Sequence, residues 1–207
     1  MSGGLFITFE GIDGSGKSTQ AKALVAALKD RGKPCIWTRE PGGSEGAEAI
    51  RKLLVEGDPD RWSAETEVLL FNAARRDHLE KTITPALARG ETVVCDRYVD
   101  STRIYQGVVR ADMRETVDIM HKTMIGREAD LTFIIDIDPE VALTRGLARN
   151  SGEDRFEDMG LQFQKDLRAG FLDLAAQNPD RCTVIDGSQS MAAVGQAILA
   201  AYESAYL

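Results

Sequence analysis

The chain has 207 residues, 43% hydrophobic and 28% charged, with a formal net charge of −8. That length suits one α/β domain with a single core over residues 1–207. The acid excess argues against a nucleic-acid surface, which needs a basic face, and no apolar run approaches the roughly 20 residues of a membrane span. An anionic substrate must therefore be met by a local cluster of cations. The N-terminus has no basic region followed by an apolar stretch, so no signal peptide is expected. Cys35, Cys95 and Cys182 are far apart and odd in number. That pattern fits buried free thiols in a reducing cytoplasm better than disulfides or zinc ligands.

In chain order, the apolar run Leu5–Phe9 predicts a first strand. It leads into Gly11-Ile12-Asp13-Gly14-Ser15-Gly16-Lys17-Ser18-Thr19, a G-x-x-x-x-G-K-[ST] phosphate loop set between a strand and a helix running to Lys29. Glycines at 11, 14 and 16 let successive N–H groups turn inward as an anion nest, and the helix start adds the positive end of its dipole. Lys17 can reach the β- and γ-phosphates, and the Ser18 hydroxyl is placed for Mg²⁺. The motif implies nucleoside triphosphate binding. Asp13 is unusual, because a carboxylate there faces incoming phosphates. It makes sense if it bonds a hydroxyl or cation on the acceptor or water on the metal, the alternative being an Asx turn.

Beyond the stop at Arg31-Gly32-Lys33-Pro34, Cys35–Thr38 predicts a second strand, ending in the loop Arg39-Glu40-Pro41-Gly42-Gly43. Ala47–Leu54 reads as a helix. Ser63 with Thr66 and Glu67 marks the start of another, expected to end around Thr84 before Pro85, with a further turn to Arg89. Thr92–Cys95 is the third strand, closed by Asp96-Arg97-Tyr98, and Ser101–Gly126 is helical or mixed. Leu131–Ile135 is the fourth strand. Helices follow over 140–148 and, after a polar segment, over 156–177. Thr183–Ile185 is the last strand and Met191–Tyr202 the last helix. Short apolar strands alternating with helices predict a three-layer α/β fold with a parallel central sheet of about five strands.

A phosphate loop alone fits kinases, GTPases, ATPases and motors. No Asn-Lys-x-Asp guanine-reading motif occurs, which lowers the case for a GTPase. Several arginines instead stand where an anion pocket is expected: Arg39 after the second strand, Arg97 after the third, and Arg75 and Arg76 on the helix between, all suited to forked phosphate recognition. Asp96 closes a buried strand and could hold Mg²⁺ directly or through water, or orient Arg97. Beside a kinase of a nucleotide acceptor, two readings remain: a P-loop kinase with another acceptor, and a nucleotide-sensing module without acceptor-dependent turnover.

Phe9-x-Glu10-Gly11-x-Asp13-Gly14-x-Gly16-Lys17-Ser18-Thr19, Thr38-Arg39-Glu40-Pro41-Gly42-Gly43, the segment Glu67–Arg75, and Asp96-Arg97-Tyr98 with Ser101-Thr102 and Tyr105-Gln106-Gly107 together resemble the thymidylate kinase family, from about residue 5 to the end. The resemblance implies a P-loop kinase fold, with ATP and dTMP as substrates, Mg²⁺, a homodimer and no nucleic-acid partner. It further implies that Phe71 stacks on thymine, that Arg75 bonds a thymine carbonyl, and that Arg39 and Arg97 hold the acceptor phosphate. Asp13 would take the sugar 3′-hydroxyl or metal-bound water. Thr102 and Gln106 would lie near the base, and Tyr105 would crowd the 2′ position. Residues 143–156 resemble the lid, with Arg145 stacking on adenine. Some members carry an arginine where this chain has Gly14. The positive group near the transferring phosphoryl is therefore expected from the lid, as Arg149 or Arg155.

Overall fold

The computed structural model describes residues 4–58, 61–110, 113–147 and 159–206. Five strands, β1 (Phe6–Glu10), β2 (Cys35–Arg39), β3 (Thr92–Asp96), β4 (Leu131–Asp136) and β5 (Cys182–Asp186), form one parallel sheet in the order β2-β3-β1-β4-β5. The first strand in sequence thus lies at the centre. Each strand ends one residue beyond its apolar run, on a charged side chain: Glu10, Arg39, Asp96, Asp136 and Asp186. Because the strands are parallel, those charges gather along one edge of the sheet, the edge where open α/β sheets bind ligands.

Both faces of the sheet are covered, which is why its central strands read as continuous apolar runs. On one face Ile7, Phe9, Phe133 and Ile135 meet Leu24 and Leu28 of α1 (Lys17–Asp30) and Ile198 of α9 (Met191–Tyr206). On the other, Phe6, Val93 and Cys95 meet Val68 of α3 (Ala64–His78), Ala86 of α4 (Thr84–Ala88), Val99 of α5 (Val99–Ile104) and Val117 of α6 (Arg114–Met120). Further along that face Ile134 packs with Ala142 of α7 (Pro139–Leu147) and with Leu167 and Phe171 of α8 (Gly160–Gln177). Helix α2 (Glu45–Val55) lies against α3.

One boundary differs from expectation. Helical hydrogen bonding does not stop before Pro85. A π-helical turn, Leu79–Ile83, links α3 to α4, with the Thr84 amide donating to Leu79 O, and Pro85 falls in the first turn of α4 where its missing N–H costs nothing. In the stretch Ser101–Gly126, read as helical or mixed, two further π turns, Tyr105–Arg110 and His121–Ile125, follow the α-helices α5 and α6. Ser63 caps α3 by accepting from the Thr66 amide at 3.2 Å. All three cysteines are buried and unpaired.

Candidate active site

The phosphate loop joins β1, the central strand, to α1. Gly11 (φ 131°) and Gly14 (φ 79°) are required by close approach as well as by conformation. A Cβ on Gly11 would meet Ile135 O at 2.6 Å, and one on Gly14 would meet Ala142 O at 2.0 Å. Lys17 curls over the loop, its Nζ donating to Ile12 O at 2.7 Å and Ser15 Oγ at 3.4 Å. Burial and the Arg97 guanidinium both disfavour its charge. Asp13, Asp96 and Glu10 offset only part of this, leaving its pKa at about 8. The Ser18 hydroxyl donates to the Asp96 carboxylate, bringing two hard oxygen donors together beside the loop. Thr19 is exposed on α1.

Arg97 faces the loop from the turn after β3. Its Nη2 donates to Asp13 Oδ1 at 2.5 Å and to the Tyr105 hydroxyl at 3.0 Å, while Nη1 donates to Ser101 Oγ at 2.9 Å and Gly11 O at 3.2 Å. Tyr105 in turn donates to Asp13 Oδ2 at 2.9 Å, and the guanidinium lies over its ring. Burial would raise the Asp13 carboxyl, but Arg97, Lys17 and Tyr105 outweigh it and hold the pKa at about 2. Asp13 is therefore not an Asx turn: its two oxygens accept from Arg97 and Tyr105, while the Ser15 amide donates to Ile12 O. The suggestion that Asp96 orients Arg97 is corrected in the same way. The carboxylate partner of Arg97 is Asp13, because Asp96 turns to Ser18.

These groups line a cavity of about 290 Å³ whose opposite wall carries Arg39, Glu40, Phe71, Thr102 and Gln106. Arg75 stands behind that wall, only 1% exposed. Its Nε donates to Glu40 Oε2 at 2.7 Å and its Nη2 to Thr102 Oγ1 at 3.0 Å, whereas Nη1 has no hydrogen-bond partner among the described residues. Gln106 Nε2 donates to Glu67 Oε2 at 3.0 Å, and among the described residues its Oε1 has no hydrogen-bond partner. Arg39 lines the cavity but is paired with Glu48 at 3.2 Å. Arg76 is a correction: it reaches Glu80 and Met124 O on the surface, since its position on α3 points away from the cavity. Arg145 is exposed on α7 and is not among the residues lining the cavity. Arg149 and Arg155 lie outside the described residues.

Sequence reasoning missed several members of the site. Lys22, Trp37 and Arg51 line one end of the cavity, with the Lys22 ammonium 4.6 Å from the Trp37 ring centre and Arg51 Nη1 donating to Pro41 O at 2.6 Å. Trp37 reads simply as a strand residue, and nothing in the sequence sets Lys22 apart from other helix lysines. Glu40 reads in the sequence only as part of a motif, yet it also accepts from His78 Nδ1 at 3.0 Å and so ties the Arg-Glu-Pro loop to α3.

An anion-binding loop and an arginine-bearing wall, facing each other across the C-terminal edge of a parallel sheet, define a P-loop kinase acting on a small phosphorylated acceptor. The family model for thymidylate kinase matches residues 9–198. The thymidylate kinase of Dinoroseobacter shibae is 66% identical over 197 residues, 95% of either chain, and that of Jannaschia sp. is 64% identical, covering 94% of this chain and 93% of its own. The crystal structure of the Ehrlichia chaffeensis thymidylate kinase aligns with a TM-score of 0.77 at 35% identity, over 97% of this chain and 99% of that one. The chain belongs to the thymidylate kinase family, nucleotide kinases that need a divalent metal, and it phosphorylates dTMP to dTDP with ATP as donor.

Proposed function

We propose that residues 1–207 act as one kinase domain in which the loop from Gly11 to Thr19 holds the ATP phosphates and the opposite wall holds dTMP. The observation that carries this reading is the Lys17–Asp13–Arg97 cluster, which fixes the donor and acceptor halves of the cavity relative to each other. Phe71 stacks on thymine, and Arg75 offers the one nitrogen its partners leave over, Nη1, to a thymine carbonyl. Thr102 and Gln106 border the base, and Tyr105 crowds the 2′ position. Arg97 grips the acceptor phosphate, and Arg39 joins it by exchanging Glu48 for the substrate. Asp13 takes the 3′-hydroxyl or metal-bound water.

Ser18 and Asp96 fit Mg²⁺, which favours oxygen ligands and keeps several waters. When bound, the ion would neutralise charge building on the β- and γ-phosphates. The acceptor oxygen is already anionic, so no general base is needed. The rate comes from alignment and from positive charge supplied by Lys17, Arg97 and a lid arginine, Arg149 or Arg155, with the lid over residues 143–156 and Arg145 at the adenine. Exposed Leu69, Ile119 and Met124 are suited to association of two copies. Among the described residues no helix is long and apolar enough to cross a membrane, and the unpaired thiols suit the cytoplasm.

An ADP-release assay with dTMP, dUMP, CMP, AMP and thymidine, with and without Mg²⁺, tests the whole reading. dTMP should give the largest metal-dependent turnover, and Phe71→Ala should raise its KM. ATP turnover indifferent to dTMP sinks the proposal.

A further inference from the structure

Glu10 touches no substrate in the reading above, yet it ends the central strand, fully buried, with both carboxylate oxygens in use. Oε1 accepts from the Tyr98 amide at 2.8 Å, and Oε2 accepts from the Ser101 hydroxyl at 2.6 Å. Ser101 Oγ in turn accepts from Arg97 Nη1 at 2.9 Å. An ionised carboxylate only accepts, so the direction is fixed: Ser101 gives its one proton to Glu10 and keeps its lone pairs for Arg97. The same carboxylate holds the amide that follows Arg97, the one non-glycine residue with positive φ (66°) among the described residues. That conformation is costly for a long side chain and persists only where neighbours impose it. Glu10 therefore grips Arg97 twice, through the backbone after it and through its guanidinium.

We propose that Glu10, acting through Ser101, is a positioning residue that aims Arg97 at the acceptor phosphate, and that its ionisation switches this aim on. The proposal rests on Arg97 holding that phosphate. A purely structural tie at this buried position would be less costly with a neutral side chain. The groups around Glu10 are Asp100 of α5, itself paired with Arg103 and with Arg181 just before β5, then Arg97, Lys17 of α1, and the Cys95 and Cys182 thiols of β3 and β5. Burial and Asp100 raise its carboxyl to about 7, against the pull of Arg97, Ser101 and the Tyr98 amide. Once protonated, the carboxyl would donate to Ser101 Oγ, and the Ser101 proton, displaced from Glu10, would have to rotate into the space beside Arg97 Nη1, disturbing the bond that orients it.

The test is steady-state kinetics of wild type, Ser101→Ala, Ser101→Thr and Arg97→Lys between about pH 6 and 9, with thermal unfolding to verify each fold. Ser101→Ala should lose on the order of tenfold in kcat with the KM for ATP nearly unchanged. It should also lose the part of the acid limb near pH 7 that wild type has beyond the ionisation of the substrate phosphates, and Ser101→Thr should restore both. A Ser101→Ala profile superimposable on wild type overturns the relay, as does a folded Ser101→Thr that restores nothing. If Arg97→Lys itself matches wild type, the role of Arg97 falls and takes the relay with it. An impaired Arg97→Lys beside an unaffected Ser101→Ala sinks the relay alone.

Discussion

Lys17 is held where its charge is disfavoured, with a pKa of about 8 set by burial and by Arg97. Bound phosphates would reverse that balance, since a polyanion beside an ammonium stabilises its charged form. ATP binding at about pH 8 is therefore expected to take up roughly half a proton per site, the fraction of neutral lysine that becomes charged. Titration calorimetry in two buffers of different ionisation enthalpy reads this uptake directly, and buffer-independent heats would rule it out. Lys17→Ala should abolish the uptake and slow turnover on the order of 10²-fold. The Arg75–Glu40 pair makes a different demand, because both partners are buried. Removing one leaves the other charge uncompensated, at a cost of about 3–5 kcal/mol. Glu40→Ala should lose about that much in urea unfolding and raise the KM for dTMP, whereas an unchanged unfolding midpoint would mean that Arg75 finds another anion.

Within the phosphate loop, Gly14 and Gly16 share a left-handed backbone but not their surroundings. A Cβ on Gly16 meets nothing within 4 Å, whereas one on Gly14 runs into the backbone of α7 at Ala142. Gly16→Ala should cost only the conformational penalty, about 1–2 kcal/mol. Gly14→Ala must also push α7 away, so thermal unfolding should show it to be clearly the less stable and ATP KM the more affected. Equal destabilisation would show that α7 yields freely. The same contact leaves no room for a side chain at position 14, because the backbone of α7 at Ala142 occupies the space. The sequence could not reveal that, since Gly14 and Ala142 are far apart along the chain. Strands and the loop were legible because both depend on local patterns, apolar runs and glycine spacing. Of their charged last residues Arg39 and Asp96 stood out beside the loops they open, but Glu10 did not, because hydrophobicity ends one position before the hydrogen bonding does. For the same reason Glu10 and Glu40 passed as motif letters, and their partnerships with Ser101, Arg75 and His78 emerge only once β1, α3 and α5 are brought together. Arg75 and Arg76 show the limit from the other side: adjacent in sequence, they diverge by about 100° around the helix, one into the core and one into solvent.

The charge economy of the folded chain predicts a stability profile with two limbs of different origin. Asp13 is held at about 2 against its burial, and Glu128, despite partial burial, is held below the usual carboxylate range by two hydrogen bonds from Arg103 and the close approach of the His121 ring at 3.1 Å. For such groups the folded pKa lies below the unfolded one. Their stabilisation is therefore complete above the ordinary carboxylate range near 4 and is lost as pH falls through the folded values. Glu10 has the opposite sign. Its folded pKa of about 7 lies above its unfolded value, so its favourable contribution is present below the ordinary range and is lost as pH rises through about 7. Urea midpoints should consequently climb from about pH 2 to about 4.5 and then lose part of that gain towards neutrality. Glu128 bridges Arg103 of α5 to the segment before β4, away from the cavity. Glu128→Gln should flatten the acid limb while leaving the descent towards pH 7 in place, and Glu10→Gln should do the reverse. A single mutant that removes both limbs would mean that the two ionisations are linked through Asp100, which meets Arg103 directly and raises the carboxyl of Glu10.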